Sequence, residues 1–243
     1  MNSVQEAITK SRHQISYQTM GLSLLARNFT TLWLSAYRAG ADFFILHHSD
    51  LGVCAPMGYP WVDLLVDRMY QLNAAALSVV SPIKSMAGHT SFGLDLQAGN
   101  HYTLRRTTVR ELALLPEEFI CKADLCDLYD LNMDATGAMI VNTGCLIIDL
   151  KRFDWAGMRW PGFQIKDELV WSPKGEPLAF TSPEDWEFSR WMHTRGLPYY
   201  ATRQLLLNHA GTHVYQNAGR WGEISDSTPR QPSKERFSAG VSA

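Results

Sequence analysis

Ala41-Asp42-Phe43-Phe44-Ile45-Leu46-His47-His48-Ser49-Asp50 is an apolar run of strand length that stops at two histidines, a serine and an aspartate. Gly52, Pro56, Gly58 and Pro60 follow. An apolar run closed by turn residues predicts a buried strand. A carboxylate just past such a strand sits at the C-terminal edge of the sheet, where open α/β sheets bind their ligands. Two readings of Asp50 are open here. It caps the turn into a helix near Trp61, or it serves as a ligand for a divalent metal.

Outward from this stretch the chain alternates. Met20 to Tyr37 places Leu22, Leu25, Phe29, Leu32, Trp33 and Ala36 at helical spacing, and Gly40 ends that helix. Trp61 to Leu72 predicts an amphipathic helix, and Ala75 to Val80 a second buried strand leading into Ser81-Pro82-Ile83-Lys84. Helix, strand, helix, strand predicts an α/β fold with a mostly parallel, Rossmann-like sheet flanked by helices.

The middle is less regular. Residues 88–100 predict a loop with a short strand or hairpin, 107–115 a turn of helix, 135–149 a strand or bent strand pair, and 155–177 a long loop. Ser182 is placed as the N-cap and Pro183 as the first residue of a helix running to about Thr194. Tyr199 to Leu207 predicts a last strand, ending in Asn208-His209-Ala210-Gly211. Residues 1–19 predict one short helix or strand.

Composition narrows the class. A chain of 243 residues with 46% hydrophobic and 19% charged residues can bury a sizeable core. We expect one domain over residues 1–225 and a disordered polar tail over 226–243. The net charge of −2 argues against tight non-specific nucleic-acid binding while leaving room for a local basic patch. Cys54, Cys121, Cys126 and Cys145 form no CxxC, which suits buried reduced thiols and a cytoplasmic protein. No apolar run approaches membrane-spanning length, and the N-terminus has no signal-peptide core.

Four polar sites follow a strand or open a helix: His48 with Asp50, Lys84, Glu184 with Asp185, and His209. At one sheet edge they would form a phosphate-and-metal site. Asp50 is a hard oxygen ligand for Mg²⁺ or Mn²⁺, and His48 and His209 are imidazole ligands better suited to Mn²⁺. Lys84 would neutralise a phosphate, and Glu184 or Asp185 would accept a proton. Each has a plainer reading: packing for His48, ordinary solvent exposure for Lys84, a backbone hydrogen bond for His209, and helix-dipole preference for the acidic pair. The chain has no P-loop, no GxGxxG, no GxSxG and no HExxH.

In this order the motifs resemble the GT-A nucleotide-sugar glycosyltransferases, closest to the small family-2-like enzymes of bacteriophages and bacteria. They are Ala26-Arg27-Asn28, His48-Ser49-Asp50, Ser81-Pro82-Ile83-Lys84, Thr143-Gly144-Cys145-Leu146-Ile147-Ile148, Pro183-Glu184-Asp185-Trp186 and His209-Ala210-Gly211, spanning roughly residues 20–215. The resemblance implies a GT-A fold and transfer of a hexosyl or pentosyl group from a nucleotide-sugar, a UDP-sugar foremost, to a hydroxyl. It implies that Asp50, His48 and His209 hold Mn²⁺ or Mg²⁺. Arg27, Asn28, Ser49, Lys84, Thr143 and Gly144 would bind the donor, and Asp185 with Glu184 beside it would face the acceptor and act as the base if the enzyme inverts. His48 stands where the family has the first aspartate of Asp-x-Asp. The apolar first strand usual before the Ala-Arg-Asn helix is also missing from the pattern.

The phage-like pattern makes a 5-hydroxymethylated pyrimidine in DNA one expected acceptor, with the host cytoplasm as the location if the source is a phage. Trp155, Trp160, Trp171, Arg105, Arg106 and Arg110 are the candidate acceptor surface. A glycan- or protein-modifying transferase, an inactive nucleotide- or sugar-binding module and a nucleotidyltransferase are the alternatives.

Overall fold

The computed structural model describes residues 3–21, 23–54, 59–96, 104–153, 162–172, 174–211 and 214–217. The expected tail over 226–243 and the candidate residues Trp155 and Trp160 lie outside these ranges. The helices are α1 (Ser3–Lys10), α2 (Leu25–Arg38), α3 (Trp61–Leu72), α4 (Val109–Leu112), α5 (Lys122–Tyr129) and α6 (Glu184–Thr194). The strands up to the middle of the chain are β1 (Phe43–His47), β2 (Leu51–Cys54), β3 (Ala76–Val79), β4 (His89–Asp95), β5 (Leu104–Thr108) and β6 (Met139–Ile140). Then come β7 (Cys145–Asp149), β8 (Lys166–Trp171), β9 (Pro177–Ser182), β10 (Tyr199–Thr202), β11 (Leu206–Ala210) and β12 (Val214–Gln216).

A four-stranded sheet in the order β1-β7-β3-β10 forms the centre. β7 is antiparallel to both β1 and β3, and β10 is parallel to β3. So β1, β3 and β10 point one way and β7 the other. Successive strand residues face opposite sides, and both sides are apolar. Leu146, Ile148, Phe44 and Leu46 pack with Phe29 and Trp33 of α2 and with Phe188 and Met192 of α6. Cys145, Ile147, Leu77 and Val79 pack with Trp61, Leu65, Val66 and Met69 of α3. Burial on both faces is why these strands read as unbroken apolar runs rather than as alternation.

The fold is mixed α/β, but the single mostly parallel sheet expected from the sequence is not what the chain builds. β3–β10 is the only parallel neighbour pair among the described strands. The further sheets, β12-β11-β2, β5-β4-β6 and β8-β9, are antiparallel throughout. A parallel pair needs a crossover of about a dozen residues or more. Short connections account for the β8–β9 and β11–β12 pairs; β7 reaches its place between β1 and β3 only after the long excursion from Val79 to Cys145. The stretch 135–149, read as a strand or bent pair, divides into β6 and β7 in two different sheets.

Several boundaries differ from expectation. The long loop over 155–177 contains β8, which pairs with β9 from Lys166↔Ser182 to Trp171↔Pro177. Both strands are largely exposed, so no buried alternation marks them in the sequence. The last strand, expected over 199–207, breaks into β10 and β11 in separate sheets. Ser182 ends β9 instead of capping α6, and Pro183 is the cap residue, without a side-chain cap bond. Residues 3–10 form α1, so they do not supply the apolar first strand that the resemblance calls for. The thiols are free as expected; Cys126 and Cys145 are buried, but Cys54 is exposed and Cys121 half-buried.

Asn217 ties the ends of β3 and β11 together. Its Nδ2 donates to the carbonyls of Val80 at 2.8 Å and Leu205 at 3.1 Å, and its Oδ1 accepts from the Leu207 N–H. The side chain is fully buried. Asn217→Ala strands two carbonyls and one N–H at that junction. It should lower unfolding stability by about 3 kcal/mol in urea titration, since each buried unsatisfied group costs roughly 1–3 kcal/mol.

Candidate functional site

Because β7 runs against its neighbours, its start lies where β1 ends. The sheet edge therefore combines the ends of β1 and β3 with the turn that enters β7. The His48 N–H donates to the Gly144 carbonyl at 2.8 Å, and the Gly144 N–H donates to Asn142 Oδ1 at 2.6 Å. A Cβ on Gly144 would collide with Asn142 Oδ1 and lie 2.7 Å from Leu51 Cδ1. A side chain here would have to push the ends of Asn142 and Leu51 aside.

Two subsites flank it. In the first, Asp50 Oδ2 accepts from Lys84 Nζ at 2.6 Å, and His209 Nε2 is 3.4 Å from the same oxygen. His209 Nδ1 lies 2.8 Å from the Pro82 carbonyl. A carbonyl only accepts, so Nδ1 carries the hydrogen and Nε2 is the nitrogen presented to Asp50. The Ala210 N–H donates to the Asp50 carbonyl at 2.8 Å, fixing β11 beside the turn after β1. Burial pushes the Asp50 carboxyl up, but the Lys84 hydrogen bond and the charges of His209 and Lys84 outweigh it and hold it below its ordinary value. Asp50 is thus the charged partner of Lys84, not the helix cap that was the alternative.

The second subsite is the start of α6. Thr143 Oγ1 donates to Glu184 Oε1 at 3.2 Å. Ser189 Oγ, fully buried, accepts from the Val141 N–H at 3.0 Å and donates to the Asp185 carbonyl at 2.7 Å. Arg190 donates to Asp95 Oδ2 at 2.9 Å, Ser182 Oγ at 2.8 Å and Glu187 Oε1 at 3.1 Å. These bonds lock the first turn of α6 against the 141–144 turn and the end of β9. Asp185 is buried, and its carboxyl is pushed up to about 7. Burial is the main cause and the Glu184 charge the second; the Trp186 N–H and the Arg106 guanidinium pull the other way.

The remaining expected residues are placed less closely. The Phe29 ring lies 5.1 Å from the His48 ring, so α2 borders the site, with Asn28 buried beside Phe29. Arg27 and Ser49 are exposed, and among the described residues no hydrogen bond or ion pair joins either to the Asp50 corner. Burial lowers the His48 imidazole to about 4, and its Nε2 has no hydrogen-bond partner among the described residues. The same holds for Ser81 Oγ, which is buried.

The metal expectation meets a specific obstacle. Among the described residues no three His, Cys, Asp or Glu side chains gather as a ligand set, so His48 does not join Asp50 and His209. The two that do meet share an oxygen already bonded to the Lys84 ammonium. As arranged, a divalent ion on this carboxylate would sit beside the Lys84 ammonium, charge against charge.

Of the candidate acceptor surface, Arg105, Arg106 and Trp171 can be placed by their partners or exposure. Arg105 pairs with Glu111 and lies 4.3 Å over the Tyr129 ring. Arg106 lies over Trp186 and donates to the Thr90 carbonyl. Trp171 stands 61% exposed on β8, a separate element. Arg106 as the cation facing Asp185, Asn142 as the support of Gly144, and Arg190 as the anchor of α6 were not singled out from sequence for these roles. Nothing in their spacing marks them; only folding brings β5, β6 and α6 together.

No protein-family model, curated protein or solved structure matches the chain. No described helix is long and apolar enough to cross a membrane.

A carboxyl raised from 3.8 to about 7 by folding costs nothing below the unfolded value and costs progressively more as pH rises toward 7. Asp185→Asn should therefore melt several °C above the wild type at pH 8, on a scale of roughly 2–4 °C per kcal/mol for a domain of this size. The two melting curves should converge near pH 4, the ordinary range of an Asp carboxyl. Equal melting temperatures at both pH values would contradict this placement of Asp185.

Proposed function

We propose that the chain is a GT-A-type glycosyltransferase that moves a sugar from a nucleotide-sugar donor, a UDP-sugar foremost, to a hydroxyl acceptor. One observation carries the reading. Asp50, Lys84 and His209 form one contact set, Thr143 and Glu184 another, and Gly144 bonded to His48 joins them. Five of the six sequence motifs thus meet along one sheet edge.

The arrangement supports a division of labour. The donor diphosphate lies at the Asp50 corner, where the Lys84 ammonium and the His209 ring face its charge. The acceptor hydroxyl lies toward α6. Its oxygen attacks the anomeric carbon and its proton passes to the Asp185 or Glu184 carboxylate. The bond from the anomeric carbon to the diphosphate oxygen breaks, and the electron pair leaves with the nucleoside diphosphate. The buried polar atoms His48 Nε2 and Ser81 Oγ have no hydrogen-bond partner among the described residues.

A 5-hydroxymethylated pyrimidine in DNA is the proposed acceptor to try first, and a base within a duplex would have to be extruded to reach a carboxyl this buried. The test is a panel of nucleotide-sugars offered with hydroxymethylcytosine DNA, hydroxymethyluracil DNA, unmodified DNA and glycans. Mass spectrometry reads transfer, and nucleotide analysis reads the leaving group. The expected result is nucleoside diphosphate release coupled to a hexose or pentose mass gain. Asp185→Asn should lower kcat by about 10²–10⁴-fold, the usual contribution of a general base. The wild-type rate should climb through about pH 7 as Asp185 loses its proton. Pyrophosphate release would instead identify a nucleotidyltransferase. Binding without release from any donor would identify an inactive module.

A further inference from the structure

The Asp50 corner contains a cation of its own. Lys84 reaches it from beyond β3, past Gly211. A Cβ on Gly211 would lie 3.1 Å from Lys84 Cδ and 3.6 Å from Cε and Cγ. The lysine stem runs along the open side of this glycine, where a Cβ would crowd it. The ammonium at its end donates to Asp50 Oδ2 at 2.6 Å, and His209 Nε2 approaches the same oxygen. An ammonium has three donors. One is used on Asp50, and no other partner is found for Lys84 Nζ among the described residues.

A divalent ion held between a diphosphate and Asp50 would have to share that carboxylate with the Lys84 ammonium, placing two cations side by side on one anionic group. Substrate oxygens can complete the shell of an ion that has few protein ligands. They do not remove this competition. A phosphate-binding lysine supplies the same charge neutralisation as a point charge, with two N–H groups left to donate to phosphate oxygens.

We propose that Lys84, threaded past Gly211 and pinned by Asp50, takes the place of a divalent ion and is the cation that meets the donor diphosphate. The diphosphate rests on the glycosyltransferase reading; the competition between Lys84 and a metal for Asp50 does not.

Two measurements on the full chain separate these parts. The first is Mn²⁺ binding followed by electron paramagnetic resonance, without nucleotide. Wild type should show no Asp50-dependent site, and Lys84→Met should gain one that Asp50→Asn removes. The second is UDP binding by calorimetry. Wild type should bind equally in EDTA and in Mn²⁺. Lys84→Met should lose on the order of tenfold or more in EDTA, the scale of one charge-assisted contact, and recover with Mn²⁺. Lys84→Arg, which keeps the charge, should bind UDP in EDTA and guards against a folding defect in the methionine variant.

The proposal is overturned if wild type holds Mn²⁺ at a site lost in Asp50→Asn, if Lys84→Met gains no site, or if wild-type UDP binding requires the metal. If no variant binds UDP under any condition while Mn²⁺ behaves as expected, the donor assignment falls and the displacement of metal by Lys84 stands.

Discussion

The site depends on the direction of one strand. β7 runs against β1 and β3, between which it lies, so its first residues rather than its last reach the edge where those strands end. The turn into β7 carries Thr143 and Gly144, and the two groups of polar side chains meet through that pair. With β7 parallel to its neighbours, these residues would lie at the far edge, about five residues or some 16 Å away at strand rise. Both faces of β7 are covered by apolar side chains. A slip of one residue would exchange the set facing α2 for the set facing α3. The register that fills the core is therefore the register that delivers Gly144 to His48.

Around this turn, backbone bonds do the positioning and side chains carry the charge. The Gly144 and Asp50 carbonyls accept from His48 and Ala210, holding the end of β1 between β7 and β11. The pairs they position differ in polarity. At Asp50, two basic side chains face one carboxylate, and the carboxyl stays below its ordinary value. At Asp185, burial and a neighbouring acid raise the carboxyl, with one guanidinium opposing them. Titratable groups pushed apart along one edge are the pattern of a site that must neutralise a leaving group and accept a proton.

Much of the framework was legible because buried strands and amphipathic helices carry their own periodicity. β1, α3 and β3 fall within a residue or two of their expected bounds, and the helix beginning after Pro183 is found there. The site candidates were legible because a polar residue directly after an apolar run can hardly be anywhere but a sheet edge. The β8–β9 hairpin was not legible, since neither strand is buried enough to leave a pattern. The basic residues proposed as one acceptor surface were grouped by composition. In the fold, Arg105 and Arg106 are held by Glu111, Tyr129, Thr90 and Trp186.

By itself the sequence determined an α/β chain with two apolar layers around its central strands and a set of polar residues placed at strand ends. These are local properties: burial follows from side-chain type, and turns follow from glycine and proline. Tertiary structure alone decided the direction of β7, the division of the last strand into two sheets, and the partner of Asp50. Strand direction depends on connections, and the partner of a charge depends on which chains pass nearby. A lysine 34 residues away reaches Asp50, its stem passing beside Gly211, which is distant from both in sequence.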